Sequence, residues 1–250
     1  MFPTEPQSFA NILFNSLKTY KRILVNVFPL SVLLTTTYIS ESILLLLLNV
    51  FCFCWMICFV ANFVENENFD YKKSLQDFLE RSFKAAALFI VATILLIIVA
   101  VAALGFWYVG MLIKSIPFVN IIFMIIFLTV VGILFIAVMC FMITSIFDVL
   151  IKDSSLSVAI KRAFQMSSSL PSILRFFGFF LIISFFTLVV FTPAYILILL
   201  PLWTQLNAVI TFTIGIFTLF LTMALLWIPL KVSVLLHLYN DLVLRFAEQK

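Results

Sequence analysis

Ile43-Leu44-Leu45-Leu46-Leu47-Leu48-Asn49-Val50-Phe51-Cys52-Phe53-Cys54-Trp55-Met56-Ile57-Cys58-Phe59-Val60-Ala61-Asn62-Phe63-Val64 decides the fold. Only Asn49 and Asn62 interrupt its apolar side chains. The run exceeds the roughly 20 residues that carry a helix across about 30 Å of hydrocarbon. Each Leu, Ile, Phe or Val at the centre of such a helix favours insertion by about 0.3 to 0.6 kcal/mol, so the whole segment partitions into a bilayer.

The rest of the chain repeats the message. Hydrophobic residues make up 65% of the sequence and charged residues 10%, against roughly 45–50% and about 25% in soluble domains. A mean hydropathy of +1.27 and 31 Phe require a solvent as apolar as the side chains. The apolar runs are long and do not alternate, which excludes a β-barrel. Backbone groups in hydrocarbon must be satisfied within the segment, so the runs are expected to be helical. Four more spans are expected at about Ala85–Tyr108, Phe118–Ile146, Ile173–Leu200 and Ala208–Leu230. A sixth, Ile23–Ile39, is shorter and carries Asn26, Pro29, Ser31 and Thr35-Thr36-Thr37.

Charge supports counting it. With six spans, fourteen of the fifteen Lys and Arg fall on one side: Lys18, Lys21 and Arg22; Lys72, Lys73, Arg81 and Lys84; Lys152, Lys161, Arg162 and Arg175; Lys231, Arg245 and Lys250. Lys114 alone lies on the other, and the turns around Glu41 and from Pro201 to Asn207 carry none. Basic loops stay in the cytoplasm, so both ends are expected inside. The net charge of +4 and pI of 8.9 then reflect orientation, and no nucleic-acid partner is implied. Trp107, Tyr108, Tyr195 and Trp203 fit an outer aromatic belt and Trp227 and Tyr239 an inner one. The first apolar run has no small-residue cleavage site after it, so it is expected to be retained.

The loops contain a second pattern. Ser8-Phe9-x-x-Ile12-Leu13-x-x-Ser16-Leu17-Lys18 aligns without gaps on Ser74-Leu75-x-x-Phe78-Leu79-x-x-Ser82-Phe83-Lys84. A third copy is Ser155-Leu156-x-x-Ala159-Ile160-x-x-Ala163-Phe164-Gln165. Each begins with a good N-cap residue and places apolar residues at i+1, i+4, i+5 and i+9. In the second copy Asp77 completes a capping-box spacing with Ser74. A helix apolar on one face and basic on the other suits the headgroup plane. The expected fold is therefore an all-α polytopic bundle, residues 1–250 forming one transmembrane domain of three units at about 8–64, 74–151 and 155–246. Each unit is an interfacial helix plus a transmembrane hairpin, and two crossings per unit make the repeat parallel.

Candidate functional residues are few. Arg81, Lys84, Lys161 and Arg162 flank the amphipathic segments, where each basic group contributes about 1 kcal/mol toward an anionic surface. Glu65, Asp148 and Asp241 follow the inner ends of second spans, where the helix terminus disfavours an acid and a nearby cation relieves it. Arg81, Lys161, Arg162 and Arg245 are the candidates for that cation. Cys52 and Cys54 face different sides of a helix and no His accompanies the four Cys, so they read as small apolar residues with no metal role. His237 is the sole His and stands in an apolar stretch, where packing is the expected role.

Ile146-Phe147-Asp148-Val149-Leu150-Ile151-Lys152-Asp153, followed by Leu156-Ser157-Val158-Ala159-Ile160-Lys161-Arg162-Ala163-Phe164, resembles the central signature of bacterial YciC-like proteins and of the membrane domain of glycerophosphodiester phosphodiesterases. The ending Leu238-Tyr239-Asn240-Asp241-Leu242-Val243-Leu244-Arg245 is similar to theirs. Ala163 stands where those relatives carry Ser. The resemblance implies a six-span protein of the bacterial inner membrane, without the phosphodiesterase reaction, since the soluble barrel that performs it has no counterpart here.

Three classes of function remain to be weighed. No HExxH, GxSxG or phosphate-cradling loop occurs, which argues against an enzyme. The expected spans hold no charge at mid-depth, which argues against an ion-coupled pathway. The favoured reading is a non-enzymatic membrane module, without a cofactor, whose partners are membrane lipids and other membrane proteins. Its alternative is a transporter of a neutral or lipid-like substrate, with residues such as Asn49, Asn120, Thr187 and Thr222 lining a path or bonding between helices.

Overall fold

The computed structural model describes residues 2–38, 43–66, 70–112, 117–202 and 207–248, and their regular structure is helical throughout. In chain order the helices are α1 (Phe9–Tyr38), α2 (Ile43–Asn66), α3 (Tyr71–Leu112), α4 (Pro117–Lys152), α5 (Leu156–Ser167), α6 (Leu170–Leu199), α7 (Ala208–Thr222) and α8 (Ile228–Glu248). A π-helical turn, Met223–Trp227, joins α7 to α8 without a break. Glu41, Lys114, Trp203 and Lys250 lie outside the described residues.

Among the described residues five stretches are long and apolar enough to cross a membrane: Leu48–Asn66, Tyr71–Leu112, Asn120–Lys152, Leu170–Leu199 and Val209–Ala247. The expected first span is not among them. Its residues instead form the second half of α1, a single helix of 30 residues that carries Pro29 and the polar Ser31, Thr35 and Thr37. Their hydroxyls bond back to carbonyls one turn earlier, Ser31 to Val27 at 3.1 Å and Thr35 to Ser31 at 2.8 Å, which hides them from an apolar solvent.

The three Ser-led segments are helical, but they begin differently. Ser8 caps α1 through its Oγ, which accepts from the Asn11 N–H at 3.2 Å. Ser155 precedes α5 in an extended conformation, and its hydroxyl makes no capping bond but shares one with the Ser157 hydroxyl at 3.4 Å. Ser74 is no cap, because Asp70 accepts from the Lys73 N–H at 2.9 Å and starts α3 earlier. The i+4 positions Ile12, Phe78 and Ala159 are buried, whereas the i+9 positions Leu17, Phe83 and Phe164 are exposed. The inward stripe continues instead through i+11, at Thr19, Ala85 and Met166.

The chain forms two compact units, Met1–Ser82 with Gly178–Lys250, and Phe83–Phe177. In the first, α1 packs along α8 and α2. Partners run from Gln7, just before α1, with Asp241, through Thr19 with His237, to Tyr20 with Leu225 of the π-turn, so α1 is antiparallel to the continuous helix of π-turn and α8. Asn49 of α2 clasps the far end of α1, donating to the Leu34 carbonyl at 2.9 Å and to Thr37 Oγ1 at 3.0 Å. The start of α3 closes on α2 through Phe51 against Phe78, Phe59 against Tyr71, and Asn62 donating to Asp77. Phe9 stacks on Phe179 of α6, with Gly178 leaving room for its ring.

Pro229 has no N–H to give the carbonyl one turn before it. That carbonyl belongs to Leu225, and Tyr20 reaches across to donate to it at 3.0 Å. A proline that would leave a polar group stranded in an apolar helix is thereby tolerated.

In the second unit α5 folds back on the end of α4. Asp153 makes the reversal, with φ +48°, a conformation that Asp adopts at lower cost than most residues with a Cβ. Small residues, Ala159 and Ala163, are buried on α5, as Phe147 and Leu150 are on the end of α4 against which it packs. Along α3 and α4 the long apolar side chains face outward, among them Ile94, Leu104, Phe118 and Leu128 at 52 to 73% exposure. Water would make that surface costly at about 25 cal/mol per Å², whereas lipid does not.

Candidate functional site

The polar groups of the first unit gather where α1 begins and α8 ends. Asp241, 1% exposed, accepts from the Gln7 N–H at 2.6 Å and from Arg245 Nε at 3.1 Å. Arg245 donates a second bond, 2.8 Å, to the Gln7 carbonyl. The Gln7 side chain accepts from Asn15 at 3.0 Å, and Asn240 donates to the Pro3 carbonyl at 3.1 Å. A buried carboxylate so close to a helix C-terminus is tolerated only with such donors. Their effect is to pin the N-terminal segment to α8, so the two ends of the chain meet.

One turn earlier, His237 is buried and its Nε2 shares a 2.9 Å hydrogen bond with Thr19 Oγ1. Its Nδ1 has no hydrogen-bond partner among the described residues. A cavity of about 270 Å³ lies beside it, lined by Asn15, Lys18, Thr19, Arg22 and Phe63. Two cations, an amide and an imidazole around one space suit an oxyanion.

The second unit holds the other acid. Asp148, also 1% exposed, is paired with Arg162. Lys84 meets Asp153 at 2.7 Å with both groups partly in solvent, a pair of little energetic weight. Lys161 is exposed and Arg81 partly so. The four basic residues read from the sequence therefore divide: Arg162 supports a buried acid, whereas Lys84 and Lys161 reach the surface. Of the cations considered for the helix-end acids, Arg162 and Arg245 are the ones that pair with Asp148 and Asp241. Glu65 is exposed.

Other residues have different places than their positions in the sequence suggested. Tyr239, expected at the inner interface, is buried at 2%. Trp107, Tyr108 and Tyr195 are exposed, as an outer belt requires. The four Cys are free and buried, and among the described residues no cluster of His, Cys, Asp or Glu has the makings of a metal site. Thr187 bonds back into its own helix, to the Ile183 carbonyl, whereas Asn49 donates across to α1.

Lys231 was missed. The sequence reading put it on the inner side after the last span, and in the structure it stands within one continuous stretch of α7, the π-turn and α8, Val209–Ala247, of 39 residues. At 1.5 Å per residue that is about 58 Å, nearly twice the hydrocarbon thickness. The signal available was the continued apolar spacing of Val232, Val234, Leu235, Leu236 and Leu238 beyond it.

Long apolar helices, those of α3 and α4 turned largely outward, define a multi-pass helical membrane protein. Comparison with known proteins finds no family model, no curated protein and no solved structure that matches the chain.

Proposed function

We propose that the chain is a non-enzymatic module of the bacterial inner membrane, with six spans and both ends in the cytoplasm, that holds anionic lipid headgroups on its basic inner surface. The observation that carries this reading is the register of the amphipathic segments. Phe83, 88% exposed, stands next to Lys84, and Phe164, 66% exposed, stands in the same turn as Lys161. Leu17 and Lys18 repeat the pairing in the first segment. An outward apolar residue beside an outward cation is the arrangement that enters the headgroup layer. The common burial at i+4 and i+11 supports three parallel repeats.

The six-span count draws support from the meeting of the termini. An odd number of crossings would put Gln7 and Asp241 on opposite faces, so α1 completes an even set in this reading. Kinship with the YciC-like proteins, proposed on the Asp148 and Asp241 motifs, agrees with it.

The test is lipid retention in native mass spectrometry. Replacing Lys18, Lys84 and Lys161 with Gln, while leaving Arg162 to hold Asp148, should reduce bound anionic lipid relative to zwitterionic lipid. Unchanged retention in a folded variant removes the headgroup role. A second reading, transport of a neutral or lipid-like substrate, is favoured by a cavity within the apolar part of the first unit that Asn49, Thr187 and Tyr195 help to line. Movement of labelled lipid between the leaflets of proteoliposomes, absent from protein-free vesicles, separates the two.

A further inference from the structure

We propose that this cavity, about 440 Å³, is an intramembrane binding site for the anionic head of an amphiphile, with Lys231 as the charge that recognises it. The site shares no residue with the basic surface of the amphipathic segments and stands independently of it.

Its position is set by the helices that line it. Thr187 comes from the middle of α6, a helix of 30 residues, and Tyr195 from two turns further on. Asn49 and Phe53 come from α2, and Leu219 and Trp227 from α7 and the π-turn. All belong to stretches apolar enough to cross the membrane. A cation in such surroundings is costly and is retained for a pathway, a relay or a ligand.

The ammonium has few ways to be satisfied. Among the described residues no carboxylate pairs with it, and its recorded contact is with the face of Trp227, 6.0 Å from the ring centre. Trp227 is one turn toward the N-terminus of the same helix. Lys231 thus points back along the apolar half of the stretch, away from the basic end near Asp241. A lysine reaching for inner headgroups would extend the other way. The space in front of it is also right for a ligand: its volume falls within the few hundred to a thousand Å³ of small-molecule sites, and its wall is mostly apolar with a few polar groups.

A second feature coincides with it. Met223–Trp227 is wound as a π-helix, a form found mostly as single turns at functional sites. Met223 and Trp227, its two ends, both line the cavity. The local distortion therefore shapes this wall and turns Trp227 toward Lys231. One positive group within an apolar wall, with hydroxyl and amide groups nearby, recognises a carboxylate or phosphate carried on an acyl chain. Two sources offer that chemistry, a free fatty acid and an anionic phospholipid.

Tryptophan quenching by brominated chains tests the proposal and separates the sources. Trp55, Trp107 and Trp203 are replaced with Phe, leaving Trp227 as the reporter in the full chain. Dibromostearate should quench it saturably, and the brominated alcohol of the same chain length should require at least tenfold more. Lys231→Gln should abolish the difference between acid and alcohol, and Lys231→Arg should keep it. Brominated phosphatidylglycerol in nanodiscs, set against brominated phosphatidylcholine, asks the same question of a phospholipid head. Charge-dependent quenching in either series supports the site and names its ligand. Equal quenching by charged and neutral probes in both series overturns it, and that comparison needs no substitution at Lys231.

Discussion

Arg245→Ala should destabilise the protein more than its position near the end of the chain suggests. The substitution takes the Arg245 Nε donor, at 3.1 Å, from Asp241, 1% exposed, and it removes the 2.8 Å bond to the Gln7 carbonyl. Breaking a buried pair by deleting one partner costs about 3 to 5 kcal/mol. The Arg245 side chain is itself 37% exposed, so water takes over part of its role and the lower end, about 3 kcal/mol, applies. That is roughly a 150-fold change in the ratio of folded to unfolded protein. Asp241→Asn keeps an acceptor for Gln7 and carries no charge, so its cost should be about 1 to 2 kcal/mol. With the acid neutral, nothing is left stranded when Arg245 is also removed. The double variant should therefore be more stable than Arg245→Ala alone. Unfolding by sodium dodecyl sulfate in mixed micelles, followed by tryptophan fluorescence and circular dichroism, gives the four free energies. Additivity within about 0.5 kcal/mol would show that the two residues act separately and would refute the reasoning.

The remaining expectations use the same assay. A Cβ at Gly215 would lie 2.6 Å from Ile198 Cγ1 and 3.0 Å from its backbone nitrogen, so Gly215→Ala should separate α6 from α7 and cost about 1 to 3 kcal/mol. Gly132→Ala meets nothing within 4 Å and should be neutral or stabilising by up to about 1 kcal/mol. Tyr20→Phe strands the Leu225 carbonyl next to Pro229 and should cost about 1 to 3 kcal/mol, without altering the helix content seen by circular dichroism. Arg162→Ala should destabilise through Asp148, whereas Lys161→Ala should leave stability within about 0.5 kcal/mol.

The class of fold was legible because insertion into lipid depends on the length and polarity of a run, and Ile43–Val64 states both. The ends of elements were harder. Ser74 satisfies a capping pattern, yet Asp70 captured the helix start, since any Asx residue in reach competes for the same free N–H groups. Phe164 and Leu17 were placed on the apolar stripe, and spacing defines such a stripe but not which of its residues turn to the bundle and which to lipid. The small Ala159 and Ala163, with Ser16 in the first segment, allowed closer packing on the neighbouring face. Asp148 and Asp241 were found from the unfavourable place of an acid at a helix end, and that argument also produced Arg162 and Arg245 as partners. Lys231 escaped for the opposite reason: hydropathy treats a lysine as the end of a span, whereas the packing of α8 against α1 carries the helix on past it. The cavity it faces is assembled from α1, α2, α6, α7, the π-turn and α8, and no local pattern encodes it.

Single-cysteine labelling reads out the proposed six-span topology with both ends inside. With the four native Cys replaced by Ala, one Cys is introduced at Glu5, Asn207 or Ala247, all exposed. A membrane-impermeant maleimide added to intact cells should label Asn207→Cys and leave Glu5→Cys and Ala247→Cys unlabelled until the membrane is opened. Labelling of Glu5→Cys but not Ala247→Cys from outside would give an odd number of crossings and contradict the account.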